Sequence, residues 1–252
     1  MDIFFSDIDN TLIYSHNHIL DVEKIVVEYL NDIEQSYMTK QTYEFLSEQN
    51  WLTFIPVTTR TEAQFRRLDF INEVHVKYAI ICNGGKLLVN GKEESIWTDK
   101  TLEMTKNQID DLEKAAESLK KLCQGFDLHR PESYMFYIKS DNPKSVFCEM
   151  SRRVNSDNVV LEYDRRKVYL FASNVNKGVA IKRFGDIKSI GKIFVAGDDR
   201  MDIPMLNRAD IAFAGKRIYD DVCCSNKVLL KGDILSDQLC VKLKDIYKNG
   251  LI

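Results

Sequence analysis

The sequence predicts an α/β protein: a doubly wound, Rossmann-like parallel-sheet core with an α+β module inserted into it. Three observations carry this. Short, nearly unbroken apolar runs recur along the chain, as strands buried on both faces require. Stretches of helical periodicity separate them, the alternation that produces parallel crossovers. Between residues 85 and 172 that alternation gives way to hairpin signals and a long amphipathic pattern. With 252 residues the chain can bury one large core, or a core and a smaller second domain.

In chain order, Ile3–Ser6 reads as the first buried strand, Lys40–Gln49 as a helix and Leu52–Thr58 as a strand. Glu62–Ile71 follows as a helix and Tyr78–Cys82 as a strand. The insert begins with LLVNGKEESIW (Leu87–Trp97), a hairpin signal, because Asn90-Gly91 takes the positive φ angles of a type I′ turn. Thr101–Cys123 sets Leu102, Ile109, Leu112, Ala116, Leu119 and Leu122 at helical spacing, a stripe for packing. Tyr134–Lys139 is strand-like and Lys144–Val154 helical, and Val159–Tyr163 and Val168–Phe171 flank a turn at Asp164–Lys167. The core resumes with a helix at Gly178–Phe184, a strand at Lys192–Ala196, a helix at Ile203–Arg208 and a strand at Ile211–Ala214. The expected division is residues 1–84 and 173–252 for the core and 85–172 for the insert, with Gly84-Gly85 as a hinge.

Composition narrows the class. The 44% hydrophobic and 29% charged fractions are those of an ordinary globular protein. A net charge of −3 provides no footprint for nucleic acid or an anionic membrane. No apolar run approaches the roughly 18–20 residues that span a bilayer. The N-terminus carries acids by residue 7 and lacks a basic leader, so no signal peptide is expected. The six cysteines show no CxxC or Cys/His zinc spacing, and the adjacent Cys223-Cys224 pair is poorly placed to bridge. Free thiols in a reducing cytoplasmic compartment are expected, in a monomer or weak dimer.

Four short segments fall at the carboxyl ends of expected strands or at helix starts, the edge where open α/β sheets bind ligands. They are DIDNT (Asp7–Thr11), VTTR (Val57–Arg60), NKG (Asn176–Gly178) and GDDRMD (Gly197–Asp202). Pooled there, Asp7, Asp9, Asp198, Asp199 and Asp202 repel one another unless a cation neutralises them. A set of hard oxygens without His or Cys suits Mg²⁺, which keeps waters and accepts phosphate oxygens. The Thr58 hydroxyl and the Lys177 ammonium are suitable donors to such oxygens. The lone pair of Asp7 and Asp9 could instead be turn-forming acids; the other three segments argue against that bland reading.

These residues resemble the haloacid dehalogenase superfamily of phosphohydrolases, and the resemblance spans the chain. FFSDIDNTL is similar to the first motif, DxDxT; VTTR to the second; NKG to the lysine of the third; and GDDRMDIPML to the fourth. ICNGG and ADIAFAG look like the Cof-type subfamily, which carries its type 2 cap where the insert falls. The resemblance implies Asp7 as nucleophile forming an aspartyl-phosphate, Asp9 as general acid and base, and Thr58 and Lys177 holding the transferring phosphoryl. It implies Mg²⁺ on Asp7, Asp198 and the Asp9 carbonyl, with Asp202 a ligand or anchor. Thr11, Thr59, Arg60, Asn83 and Gly84, in or beside these segments, are further substrate-binding candidates, with Arg60 open between a site residue and a surface charge at a helix start. Two departures stand out: Thr59 replaces the glycine of the second motif, and Met201 replaces a frequent asparagine, with Asp199 as a partial substitute.

In the insert, Arg130, Tyr137 and Arg165, with His129, Tyr134 and Arg166 beside them, are the candidates to grip an anionic or sugar substrate. His16 and His18 read as loop histidines. The implied activity is hydrolysis of a small phosphorylated metabolite, most plausibly a sugar phosphate. A phosphomutase or phosphotransferase of the same superfamily is the first alternative. A non-catalytic phosphate-binding or phospho-regulated protein is the second; its receiver-like form has no need of Asp9 or of an insert.

Overall fold

A computed structural model describes residues 2–155 and 157–250. Its main sheet has five strands, in the order Lys227–Leu230, Ile211–Gly215, Ile193–Gly197, Ile3–Ser6 and Thr53–Pro56, all parallel. Ile3–Ser6 lies between Ile193–Gly197 and Thr53–Pro56, with Ile3 opposite both Ile193 and Thr53. All four of its residues are buried, which is why its apolar run is unbroken rather than alternating. The strand order reverses at this strand, so the crevice beyond its carboxyl end is the topological switch point.

Several sequence expectations are redrawn by tertiary hydrogen bonds. Tyr78–Ile81 is a buried strand but not a member of the parallel sheet. It pairs antiparallel with Lys86–Val89, because the chain reverses through Cys82 and Asn83 at φ 52° and 58°. One bridge, Val57 to Ile80, ties it to the main sheet. The Asn90-Gly91 turn has both φ angles positive, as a type I′ turn needs. Its second arm is only Lys92–Glu93, and Ser95–Thr105 is helical instead.

The helix expected over Glu62–Ile71 breaks into Glu62–Phe65 and Phe70–Glu73. In between, Leu68 bridges to Glu28 and the Asp69 amide donates to the Val27 carbonyl. The Thr101–Cys123 pattern likewise divides into Ser95–Thr105, a 3₁₀ turn at Lys106–Gln108, and Ile109–Leu122. There the buried Gln108 side chain is held by Ser173 Oγ and the Asn174 amide. Among the described residues, further elements went unforeseen: an antiparallel sheet of Tyr14–Ser15, Ile33–Thr39 and Lys24–Leu30, the strands Leu128–Glu132 and Lys227–Leu230, and the helix Leu235–Lys248.

The chain forms two compact units, Met1–Glu93 with Lys177–Ile252, and Glu94–Asn176. The division falls after the Lys92–Glu93 arm rather than at Gly84-Gly85, because the whole hairpin belongs to the first unit. Within the second unit, a four-stranded antiparallel sheet runs in the order Val159–Asp164, Lys167–Ala172, Met135–Lys139, Leu128–Glu132. The helices Ile109–Leu122 and Pro143–Met150 pack on it, and Leu112, Ala116 and Leu119 are wholly buried. Among the described residues no helix is long and apolar enough to cross a membrane.

Candidate active site

The first strand ends with the Asp7 amide still bonded to the Ala196 carbonyl at 3.0 Å. Beyond it the chain curls. The Ile8 carbonyl accepts from both Leu12 and Ile13, and Asn10 sits at φ 65°. That curl separates two acids that an extended strand would point to opposite faces. Asp7 is only 7% exposed, whereas the Asp9 side chain is 40% exposed. Thr11, fully buried, donates from its hydroxyl to Asp198 Oδ1 at 3.1 Å and so ties the turn to the GDDRMD loop.

That loop folds back on itself. Asp202 Oδ2 accepts from the amides of Asp198 (2.9 Å) and Asp199 (3.0 Å), and Asp199 accepts in turn from the Met201 amide (3.3 Å), a reciprocal cap. Gly197 makes this possible: a Cβ there would lie 2.5 Å from that of Asp202. Lys177 opens the helix Lys177–Ile187 and reaches Asp7 Oδ1 at 2.5 Å and Asp202 Oδ1 at 2.6 Å while 2% exposed. Gly178 is dictated by packing, since its Cβ would sit 2.2 Å from the Pro204 carbonyl oxygen.

Asp7, Asp198 and Asp202 can each bring one oxygen within 4.8 Å of the others, and all three are buried. Burial drives the Asp7 carboxyl well above its usual range; Lys177 opposes this, while Asp202, Asp198 and Asp9 add to it. Burial likewise pushes Asp198 up to about 7, with Asp202 adding and Arg217 opposing. For Lys177, burial favours the neutral amine, but Asp202 and Asp7 outweigh it and hold it charged. Both acids are raised chiefly by burial, with like-charged neighbours adding to it. A hard divalent cation on Asp7 and Asp198 would offset that repulsion. Both oxygens of Asp202 are already engaged by Lys177 and two amides, which suits it to anchoring the loop.

On the other side of the first strand, Thr58 is buried by a backbone knot. Its amide donates to Ile80, its carbonyl accepts from Asn83, and its hydroxyl oxygen accepts from the Arg60 amide at 3.1 Å. A hydroxyl that accepts one bond still has its own proton to donate. Asn83 and Gly84 are buried in the 3₁₀ turn that follows Ile81, and Thr59 is half-buried. Arg60 does not face open solvent as a free phosphate clamp: its Nε and Nη2 fork the Asp9 carboxylate at 2.9 Å each.

The inserted unit is different in kind. Arg130 is committed to Glu113 and Glu117 of its own unit and lies over the Phe136 ring. Tyr137 stacks on His129 at 4.6 Å, and the Lys167 ammonium lies 5.0 Å from the centre of its ring. Arg165 occupies the tip of the second hairpin at φ 49°, and Tyr134 is wholly buried. In the first unit, His16 lies 3.4 Å from Glu34, and His18 packs edge-on against Tyr14.

Sequence reasoning missed Glu28 and Arg217. Arg217, 64% exposed in its side chain, bonds Asp198 Oδ2 at 2.7 Å. Glu28, by contrast, is 2% exposed. Burial favours its neutral form, but hydrogen bonds from Arg60, Ser36 and Arg67 outweigh this and hold the carboxyl below its ordinary value. A lone acid inside the apolar run KIVVEYL was the one available signal.

The sequence matches the family model of haloacid dehalogenase-like hydrolases over residues 68–222, a span that includes Lys177, Asp198 and Asp202. No curated protein matches it significantly. Among solved structures, the sucrose-phosphatase of Synechocystis sp., in complex with sucrose and phosphate, is similar at 15% identity and TM-score 0.62, covering 98% of this chain and 97% of that one. A sugar phosphatase of subclass IIB of the same superfamily is similar at 17% identity and TM-score 0.61, over 100% of both chains. The trehalose-6-phosphate phosphatase of Aspergillus fumigatus is more distant, at 12% identity and TM-score 0.53 over 97% and 92%. At these identities the likeness is one of fold.

Proposed function

The chain belongs to the haloacid dehalogenase-like hydrolases, and from that premise we propose that it is a Mg²⁺-dependent phosphatase of small phosphorylated metabolites of the sugar phosphate class. One observation carries the reading. A single turn presents two acids in opposite surroundings, Asp7 buried against Lys177 and Asp9 half-exposed on Arg60. Hydrolysis in two displacements needs that pair: a nucleophile in a dry, charge-ordered floor and a proton carrier at its rim.

In the first displacement a carboxylate oxygen of Asp7 attacks phosphorus as the ester P–O bond breaks. Asp9 delivers its proton to the departing oxygen, leaving free alcohol and an aspartyl-phosphate on Asp7. In the second, Asp9 takes a proton from water as the water oxygen attacks the same phosphorus. The bond to Asp7 breaks, inorganic phosphate departs, and Asp9 carries a proton again. Lys177 and Thr58 donate to the phosphoryl oxygens, where charge accumulates. Asp7, Asp198 and the Asp9 carbonyl would hold Mg²⁺, which supplies neutralisation of that charge; Asp202 keeps the loop in shape.

The 94–176 unit is proposed as the part that selects the substrate. Support for the sugar class comes from fold neighbours named as sucrose, trehalose-6-phosphate and sugar phosphatases. The test is a screen of phosphorylated metabolites with purified protein and Mg²⁺, reading phosphate release with and without a chelator. Release from sugar phosphates that stops on chelation is expected. A profile confined to non-sugar esters would overturn the substrate class. Release that requires a sugar bisphosphate activator would point to a mutase.

A further inference from the structure

Glu28 is a buried acid with no part in the reaction as drawn. It lies in the strand Lys24–Leu30, where the register slips on both sides of it and turns its side chain inward. Its Oε1 receives both Nε and Nη2 of Arg67, at 3.0 and 2.8 Å. Its Oε2 receives Ser36 Oγ at 2.7 Å and Arg60 Nη2 at 2.9 Å. Tying the hairpin to the Arg66–Asp69 segment accounts for the Arg67 fork. It does not account for Arg60, whose Nη2 divides itself between Glu28 Oε2 and Asp9 Oδ1 at equal distances of 2.9 Å.

The division bears on Asp9. Both its oxygens accept from the Arg60 fork, and a carboxyl that carries a proton to a leaving-group oxygen has to loosen that fork. The Arg60 side chain is 11% exposed, and a buried guanidinium left without an anion is strongly unfavourable. Glu28, fixed by Arg67 and Ser36, stays on Arg60 whichever way Asp9 points. Resting on the phosphatase reading, we propose that Glu28 is a positioning residue: it holds Arg60 as the resting partner of Asp9 and keeps that guanidinium paired while Asp9 serves the leaving oxygen.

With Glu28 neutralised, Asp9 becomes the sole anion on Arg60 and stays in the fork. The loss then scales with how much the leaving group needs a proton. A para-nitrophenolate departs with little help, whereas a sugar alkoxide needs the acid. The quantity to compare is kcat/KM, which reports only the steps up to release of the alcohol.

In Glu28→Gln, kcat/KM for a hexose phosphate should fall about tenfold or more, against less than about threefold for para-nitrophenyl phosphate, a part of the hundredfold or greater range of acid catalysis. Should that variant not fold, Ser36→Ala removes one of the groups that fix Glu28 Oε2 without changing charge, and a smaller effect in the same direction is expected, about a threefold loss on the hexose phosphate against none on para-nitrophenyl phosphate. Equal losses on both esters, or no loss, in a folded variant would overturn the role of Glu28 while leaving the phosphatase intact. Absence of phosphate release by the wild-type protein from either ester would sink both readings.

Discussion

The acidic floor of the first unit and the basic and aromatic cluster of the inserted unit hold candidates of similar chemistry in opposite physical states. Asp7, Asp198, Asp202 and Lys177 are all buried, and Lys177 pairs with Asp7 and Asp202 out of contact with bulk water. Arg130 and Arg166 pair with neighbours of their own unit at exposed sites. Burial is what makes charge informative: a desolvated like-charge cluster is unfavourable unless something uses it. A solvated ion pair needs no such reason and contributes little.

The largest effect that could break this contrast is Asp7→Asn. Phosphate release should fall on the order of ten-thousandfold or more, as loss of a covalent nucleophile does elsewhere; retained turnover would remove Asp7 from that role. Next is Lys177→Met, which strands Asp7 and Asp202. Urea unfolding should show a loss of about 3–5 kcal/mol, the penalty of breaking a buried pair, and kcat should drop about a hundredfold or more. An unchanged midpoint would mean that the floor is wetter than its burial implies.

Mg²⁺ should raise Tm, by the equivalent of about 2.7 kcal/mol at a hundred times its dissociation constant. The shift should vanish in Asp198→Ala; a shift that persists would place the cation elsewhere. A smaller effect concerns acid. The Glu28 carboxyl is held below its ordinary 4.5 in the folded chain, so the unfolded chain binds its proton first as pH falls. Its stabilisation is present above that value and is lost as pH drops below it. Tm should therefore fall more steeply below pH 4.5 in the wild type than in Glu28→Gln; parallel curves would show that Glu28 titrates normally.

The smallest effect is expected on the other side of the comparison. Arg130→Ala should change stability by less than about 1 kcal/mol, as exposed pairs do. A loss in kcat/KM at unchanged stability would instead move Arg130 from solvated surface to substrate contact.

The core strands and the floor were legible because both signals are local. An apolar run such as IFF reads as buried on both faces, and acids, a lysine and glycines recurring at the ends of several such runs point to one sheet edge. Gly197 and Gly178 are dictated by close approaches of Asp202 and Pro204, yet each stood in its motif to be read. The Glu62–Ile71 helix failed for the complementary reason: its periodicity was sound, but hydrogen bonds from the Lys24–Leu30 strand captured Leu68 and Asp69.

What the sequence determined by itself was therefore the parallel core and the four segments gathered at one sheet edge, whereas the boundary of the second unit at Glu94 was set by the pairing of the Lys86–Val89 and Lys92–Glu93 arms. Periodicity and turn chemistry act over a few residues and can be read in one dimension. Tertiary structure alone decided that Asp9 rests on Arg60, that Glu28 turns inward to share it, and that Asp202 faces Lys177. Each of those depends on a bulge, a register or a fold-back that brings residues distant in the chain within 3 Å.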